Sequence, residues 1–176
     1  MILKHRMPRR GVAAVETAAV MFFFVGPLLI AMWEIGRLVY VQEVVANAAR
    51  EGARLAAQAY TIDSSGNEIQ VTKSTGTVNI ENAVYQYLYT GGLWELAKAD
   101  VTTTFTFTSP RSDGTTPAEP YLGEKDQRFS VGVSVPWNKV RWLNIGLINP
   151  TSVQSTAFWQ MLVDDPFTVN ATLPLW

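Results

Sequence analysis

The sequence contains no cysteine, and its single histidine, His5, lies in the N-terminal tail. Disulfides, thiolate metal sites, cysteine nucleophiles and lipid attachment through cysteine are excluded together. Beyond that tail, Ser-His-Asp chemistry and the common zinc-hydrolase ligand sets are excluded as well. Charge is scarce: 16% of the residues carry one, and the formal net charge is -1. No basic face is evident, so a nucleic-acid partner is not expected. With 176 residues there is room for one domain plus an anchor, not for two full-sized domains.

What is present is unevenly distributed. Apolar residues crowd the first third, while Thr, Ser, Gly and Pro fill the rest. Residues 1–11 hold Lys4, Arg6, Arg9 and Arg10 and no acid; residues 12–33 are apolar apart from Glu16 and Thr17. At 1.5 Å per residue that run spans roughly 33 Å, enough for a bilayer core of about 30 Å. The following 15 residues carry Arg37 against Glu34 and Glu43. The excess of cations before the run places the N-terminus in the cytoplasm and the remainder outside it. Trp33 falls where an outer aromatic belt is expected.

Three readings compete for this segment. A cleaved secretory signal needs small residues bracketing a cut beyond the apolar run, and Ala31, Met32 and Trp33 lack that spacing. A plain signal anchor is the second. The third is a leader cut before the apolar run, and it must account for Glu16. A carboxylate in a membrane helix costs about 2.5–3.5 kcal/mol at the centre and less towards the edge. In Gly11-Val12-Ala13-Ala14-Val15-Glu16, a cut after Gly11 makes Val12 a new N-terminus bearing an ammonium group. Glu16 then stands one helical turn from that amine, or reaches the amine of a neighbouring copy. Pairing between copies would also specify axial register. In an uncut chain, Arg9 or Arg10 would serve the carboxylate by snorkelling.

The helix is expected to continue to residue 59, about 70 Å in all. Leu38, Val41, Val45, Ala48, Gly52 and Leu55 recur at spacings of three and four, giving one apolar stripe. Glu43, Asn47, Arg50 and Arg54 line another face, and the small residues Ala49, Gly52, Ala53 and Ala56 permit a close neighbour. Pro27, after Gly26, predicts a kink or local loosening. Residues 61–77 read as a polar, turn-rich stretch with a break at Asp63-Ser64-Ser65-Gly66. Ile80, Val84, Tyr87 and Leu88 mark an amphipathic helix closed by Gly91-Gly92. Val101, Thr103, Phe105 and Phe107 alternate with threonines, and Phe129, Val131, Val133 and Val135 alternate up to Pro136, so both read as strands. Residues 109–126 read as an extended loop and residues 153–162 as a third strand. The expected fold class is α+β: the long N-terminal helix and a second helix packed on a small antiparallel sheet of three or four strands.

No constellation stands out as chemistry. Asp164-Asp165, and Glu119, Glu124 and Asp126 in the long loop, are acids of the kind usually solvated, without the further oxygen ligands calcium needs. Trp137, Trp142 and Trp159 fit either an adhesive face or core filling. Asn170-Ala171-Thr172 matches a glycosylation triplet, a pattern too short to carry weight. No catalytic residue, cofactor or metal is assigned.

Three pieces in order carry a resemblance: Gly11 to Glu16 before the apolar run, Glu34-Ile35-Gly36-Arg37, and Asn47-Ala48-Ala49-Arg50-Glu51-Gly52-Ala53-Arg54. Over residues 9–57 the chain closely resembles the TadE-like family of tight-adherence (Tad, Flp or type IVc) pilus pseudopilins. Thr17 stands where an aromatic often follows the glutamate in that family, and Pro27 falls later than its early proline. Val131 to Trp137 is similar to a V-x-V-P-aromatic strand of such heads, and Met161 with Asp164 to a late Met followed by an acid. The resemblance implies a type IV pilin-like N-terminal helix; with no His or Cys beyond the tail and no constellation of other groups, enzymatic activity is not expected. The resemblance also implies cleavage between Gly11 and Val12 by an aspartic prepilin peptidase.

The expected partners are the membrane, that peptidase, other pilins or pseudopilins and the inner-membrane assembly platform. The division that follows is a leader at 1–11, a transmembrane helix at 12–33, its extracytoplasmic continuation at 34–59 and an α+β head at 60–176. The function implied is that of a minor pilin or pseudopilin in pilus assembly, in the bacterial inner membrane as a single pass, with the pilus or cell surface as destination after assembly. The alternative is a single-pass envelope scaffold or adhesin outside any filament. An enzyme built on carboxylates, Ser or Lys ranks third.

Overall fold

The computed structural model describes residues 10–142 and 149–162. Helix runs from α1 (Arg10–Val20) through a π-turn (Met21–Val25) into α2 (Gly26–Ala57) without a break. The π-turn lies where Gly26 and Pro27 were expected to disturb the helix. Proline has no N–H to donate to the preceding turn. With one extra residue in that turn, the Gly26 N–H reaches the Met21 carbonyl five residues back. Pro27 then falls in the first turn of α2, where no donor is required.

α2 ends two residues earlier than expected. The Gln58 N–H closes on the carbonyls of Leu55 and Ala56, and Ala59 takes a left-handed φ of 56°, a position more often given to glycine. That reversal starts a hairpin, β1 (Tyr60–Ile62) with β2 (Glu68–Gln70), Tyr60 lying opposite Gln70. The turn-rich reading of residues 61–77 missed it. Each strand has three residues and no buried face, so no alternating pattern marks it. The expected break at Asp63 is the hairpin's turn: its carboxylate accepts from the Ser65 N–H at 2.8 Å and the Asn67 N–H at 2.7 Å.

The remaining head elements follow the sequence pattern closely. α3 (Ile80–Thr90) is capped by Asn79, whose side chain accepts from the Asn82 N–H at 2.8 Å. It buries Ile80, Val84 and Leu88; Tyr87, expected on that face, is exposed. β3 (Thr102–Phe107), β4 (Arg128–Pro136) and β5 (Ser152–Gln160) form an antiparallel sheet in the order β3-β4-β5, with Val131 between Phe105 and Ala157. Phe105, Phe107, Phe129, Val131, Val133, Val135 and Val153 line its inner face. A single turn, α4 (Trp137–Val140), follows Pro136 and buries Trp137 completely. The fold is α+β, with the second half of the long helix lying across β4 and β5 and beside α3.

The packing is close because α2 offers small residues. Val41, Val45, Ala48, Ala49, Ala53, Ala56 and Ala57 are fully buried along that face. At Gly52 a Cβ would stand 2.7 Å from Val84 Cγ2, 3.2 Å from Ile80 Cγ2 and 3.3 Å from Val131 Cγ1, so α3 and the sheet both press on bare backbone. Residues 109–126 form the expected loop, with one 3-10 turn at Pro120–Leu122 that touches α2. Gln127, buried, ties its base by donating to the Ser109 carbonyl at 2.8 Å and accepting from the Glu124 N–H at 3.1 Å. Glu124 accepts from the Ser112 N–H at 2.7 Å, the Ser112 hydroxyl at 2.9 Å and Arg111 Nε at 3.1 Å.

Two outcomes follow. Gly52→Ala lowers the thermal unfolding midpoint of the detergent-solubilised chain, by the equivalent of about 1–3 kcal/mol, although alanine is the better helix former. Gly36→Ala, with nothing within 4 Å of its Cβ position, raises it, the gain being about 0.5–1 kcal/mol. The Ser112 N–H and hydroxyl, with Arg111, hold the Glu124 carboxyl below its usual pKa. A depressed carboxyl contributes stability that is complete above its unfolded value and lost as pH falls through its folded one. Proteolysis within residues 109–126 therefore accelerates only in acid below the ordinary carboxylate range, and Glu124→Gln shows the faster cleavage already at neutral pH.

Candidate functional site

Gly11, Val12 and Glu16 lie on α1 with no part of the head packed on them. A Cβ at Gly11 would have no neighbour within 4 Å. Among the described residues Glu16 has no hydrogen-bond or ion-pair partner, and the Thr17 hydroxyl is turned back on the Ala13 carbonyl at 2.9 Å. The N-terminal cations Lys4, Arg6 and Arg9 lie outside the described residues. Val12, Val15, Phe22, Phe23, Phe24, Leu28 and Leu29 are all exposed. Only 6% of the most apolar window of the Gly11–Ala57 helix is buried. A core helix of a soluble protein would be mostly covered; this one is bare until the head begins.

Where the head begins, three charged or aromatic features meet on α2. Glu34 is 3% exposed, and among the described residues neither of its carboxylate oxygens has a hydrogen-bond partner. Arg37, one turn on, does not meet it. Arg37 turns to the head instead: Nε donates to the Val140 carbonyl at 3.0 Å, and the guanidinium lies 4.6 Å from the Trp142 ring and 5.4 Å from the Tyr40 ring. Trp142 in turn stands 5.9 Å from Trp33. The Tyr40 hydroxyl donates to the Gly91 carbonyl at 2.6 Å, which fastens the end of α3 to this level of α2. Burial lowers the Arg37 pKa, with Tyr40 and Glu95 acting in the other direction. Trp33, Gly36, Arg37, Tyr40, Gly92 and Trp142 enclose a cavity of about 500 Å³.

The third sequence segment divides between two jobs. Ala48, Ala49, Gly52 and Ala53 are buried against α3 and the sheet. Asn47, Arg50, Glu51 and Arg54 form an outward stripe, with Arg50 donating to Asn47 at 2.7 Å and Arg54 paired with Glu51 at 2.6 Å. Trp137, Trp142 and Trp159 do not make one face. Trp137 is core, whereas Trp142 and Trp159 are exposed. Glu119 accepts from the Lys73 N–H at 2.8 Å and Glu124 from Arg111 and Ser112, so both fasten chain segments. Asp164, Asp165 and the Asn170 triplet lie outside the described residues.

A scan against family models matches residues 11–54 to TadE-like proteins. Over that stretch the helix is similar to TadE-like proteins. The match takes in Gly11, Glu16, Glu34, Arg37 and the stripe through Arg54, a quarter of the chain, and the TadE-like family suggests a protein associated with a Tad pilus. No curated protein and no solved structure gives a significant match.

Sequence reasoning singled out Glu34 as a motif member and missed its burial. The signal was present: extending the apolar stripe one turn back from Leu38 lands on Glu34. The collar around Arg37 had no such signal, because Trp142 reaches it only through the turn after β4. An isolated carboxylate is costly to bury. Glu34→Met is therefore expected to raise the stability of the detergent-solubilised monomer, by about 1–3 kcal/mol in a thermal or denaturant melt. A fall of that size would mean that the carboxylate is paired within the chain.

Proposed function

We propose that this chain is a minor pilin or pseudopilin that acts in assembly of a Tad/Flp-type pilus. The observation that carries the reading is the bare helix: an apolar surface from residue 11 to residue 33, largely uncovered by the chain's own head, with a carboxylate near its start that has no partner among the described residues. Such a surface is stable only in lipid or against other helices. Lipid covers it before assembly, and the helices of neighbouring subunits cover it afterwards.

The chain then divides into a leader at 1–11, a membrane span at 12–33, its continuation at 34–59 and a head at 60–176. It crosses the bacterial inner membrane once, with the N-terminus in the cytoplasm. A prepilin peptidase removes the leader between Gly11 and Val12. The new Val12 ammonium supplies the counter-charge that Glu16 lacks, in the same chain or a neighbouring one. Other pilins or pseudopilins and the inner-membrane platform are the partners. The stripe of Asn47, Arg50, Glu51 and Arg54 stays on the surface of the head-proximal helix and contributes polar contacts there, while Gly36 and Gly52 keep the helix backbone open to close neighbours. No catalytic role is assigned.

Mass spectrometry of the chain from cells with an active prepilin peptidase is expected to find Val12 as the first residue. Glu16→Gln leaves cleavage intact but cuts incorporation into sheared filaments roughly tenfold, the effect of losing about 1.4 kcal/mol. A chain that still begins at Met1, or full incorporation of the Gln variant, would overturn the coupling of processing to assembly. Recovery of the chain only in membranes, never in filaments, would favour an envelope scaffold or adhesin.

A further inference from the structure

Arg37 is held in a geometry that commits only one of its N–H groups among the described residues. Its Nε is committed to the Val140 carbonyl, and the plane of its guanidinium is fixed by the Trp142 and Tyr40 rings. Among the described residues no carboxylate pairs with it. A planar guanidinium with free terminal N–H groups matches the oxygens of a phosphate. A second cavity of about 260 Å³ adjoins the first, sharing Arg37, Gly92 and Trp142, and adds Trp94, Glu95 and Lys139. Lys139 is already paired with Asp100 at 3.5 Å. Glu95 is exposed and makes no ion pair among the described residues. Arg37 and Glu95, near enough for the carboxylate to act on the guanidinium but not joined in an ion pair among the described residues, therefore border the same depression.

Position selects the ligand. Trp33, Trp94 and Trp142 are 60%, 65% and 58% exposed, and they gather where the bare apolar helix ends. Tryptophan and tyrosine concentrate at that depth of a membrane, with the rings among the headgroups. Two of these three tryptophans belong to the head, not to the helix. The head thus presents its own aromatic belt, level with that of the span.

We infer that this collar is a phospholipid headgroup site, in which Arg37 takes the phosphate and Glu95 the ammonium of an ethanolamine-type zwitterionic lipid. The inference rests on residues 12–33 crossing the membrane. A phosphate alone would satisfy Arg37 and leave Glu95 opposed to it; a headgroup carrying both charges answers both. The quaternary ammonium of a choline lipid has no N–H to donate to Glu95, so the site distinguishes the two zwitterions. Bound lipid holds the head against the membrane surface until the subunit leaves for assembly.

The test uses the full chain, reconstituted with equal amounts of ethanolamine, choline and glycerol phospholipids and examined by native mass spectrometry. Wild type is expected to retain the ethanolamine lipid over the other two. Arg37→Gln lowers retention of every lipid about fivefold. Glu95→Gln, at an exposed position, folds normally and levels the ethanolamine lipid with the choline lipid. Equal retention of all three lipids by wild type, or unchanged retention by both variants, overturns the site. Saturation by free phosphoethanolamine at the same affinity overturns the membrane source. A dimer without bound lipid assigns the collar to a second copy of the chain and overturns it too. Liposome flotation is read separately: a chain that does not float disproves the membrane span itself, whereas one that floats without lipid selectivity disproves only the headgroup site.

Discussion

At Gly52 the backbone of α2 lies within a methyl group's reach of Val84, Ile80 and Val131 together, and the rest of the head is arranged around that approach. The alanines on either side continue the same flat face, so α3 and the inner face of the sheet can both settle on one helix. Dispersion contacts are individually small and numerous only where surfaces meet without a gap. A small-residue face therefore does what larger side chains could not do here, bringing three elements against one backbone. Because α2 is also the continuation of the bare apolar helix, the head is rigidly joined to whatever surrounds residues 11–33.

Along this one helix, three charged residues meet different surroundings. Among the described residues Glu16 stands on bare apolar surface without a partner, Glu34 is buried with no hydrogen bond, and Arg37 is half-buried beside two aromatic rings. A monomer in water gains nothing from the placements of Glu16 and Glu34, whereas Arg37 keeps its bond to Val140 and its two rings. Each becomes reasonable when a second molecule is present: a neighbouring helix, a freed amino group or a lipid headgroup. The TadE-like match covers all three positions, and the head lies beyond it.

Much of the architecture could be read from spacing. The stripe from Leu38 to Leu55 and the alternation in Phe105 and Phe107 and from Phe129 to Val135 each mark a buried face, because one side of the element meets the core and the other meets solvent. The β1–β2 hairpin carried no such mark, since its six strand residues bury neither side. Pro27 was legible as a disturbance, but its form, a π-turn with the Gly26 N–H reaching Met21, depends on how the neighbouring turns share one missing donor. Tyr87 was placed on the buried face by spacing alone, but that face is narrower, and Ile80, Val84 and Leu88 fill it.

By itself the sequence determined the long helix, its apolar run, the carboxylate at Glu16 and the strand pattern of the head, all of which depend on neighbours within a few residues. Only the tertiary structure decided that Glu34 is covered and that Trp142 and Trp94 come to lie beside Arg37. Trp94 and Trp142 lie 57 and 105 positions from Arg37, and no local periodicity records which turn of the chain will bring them together.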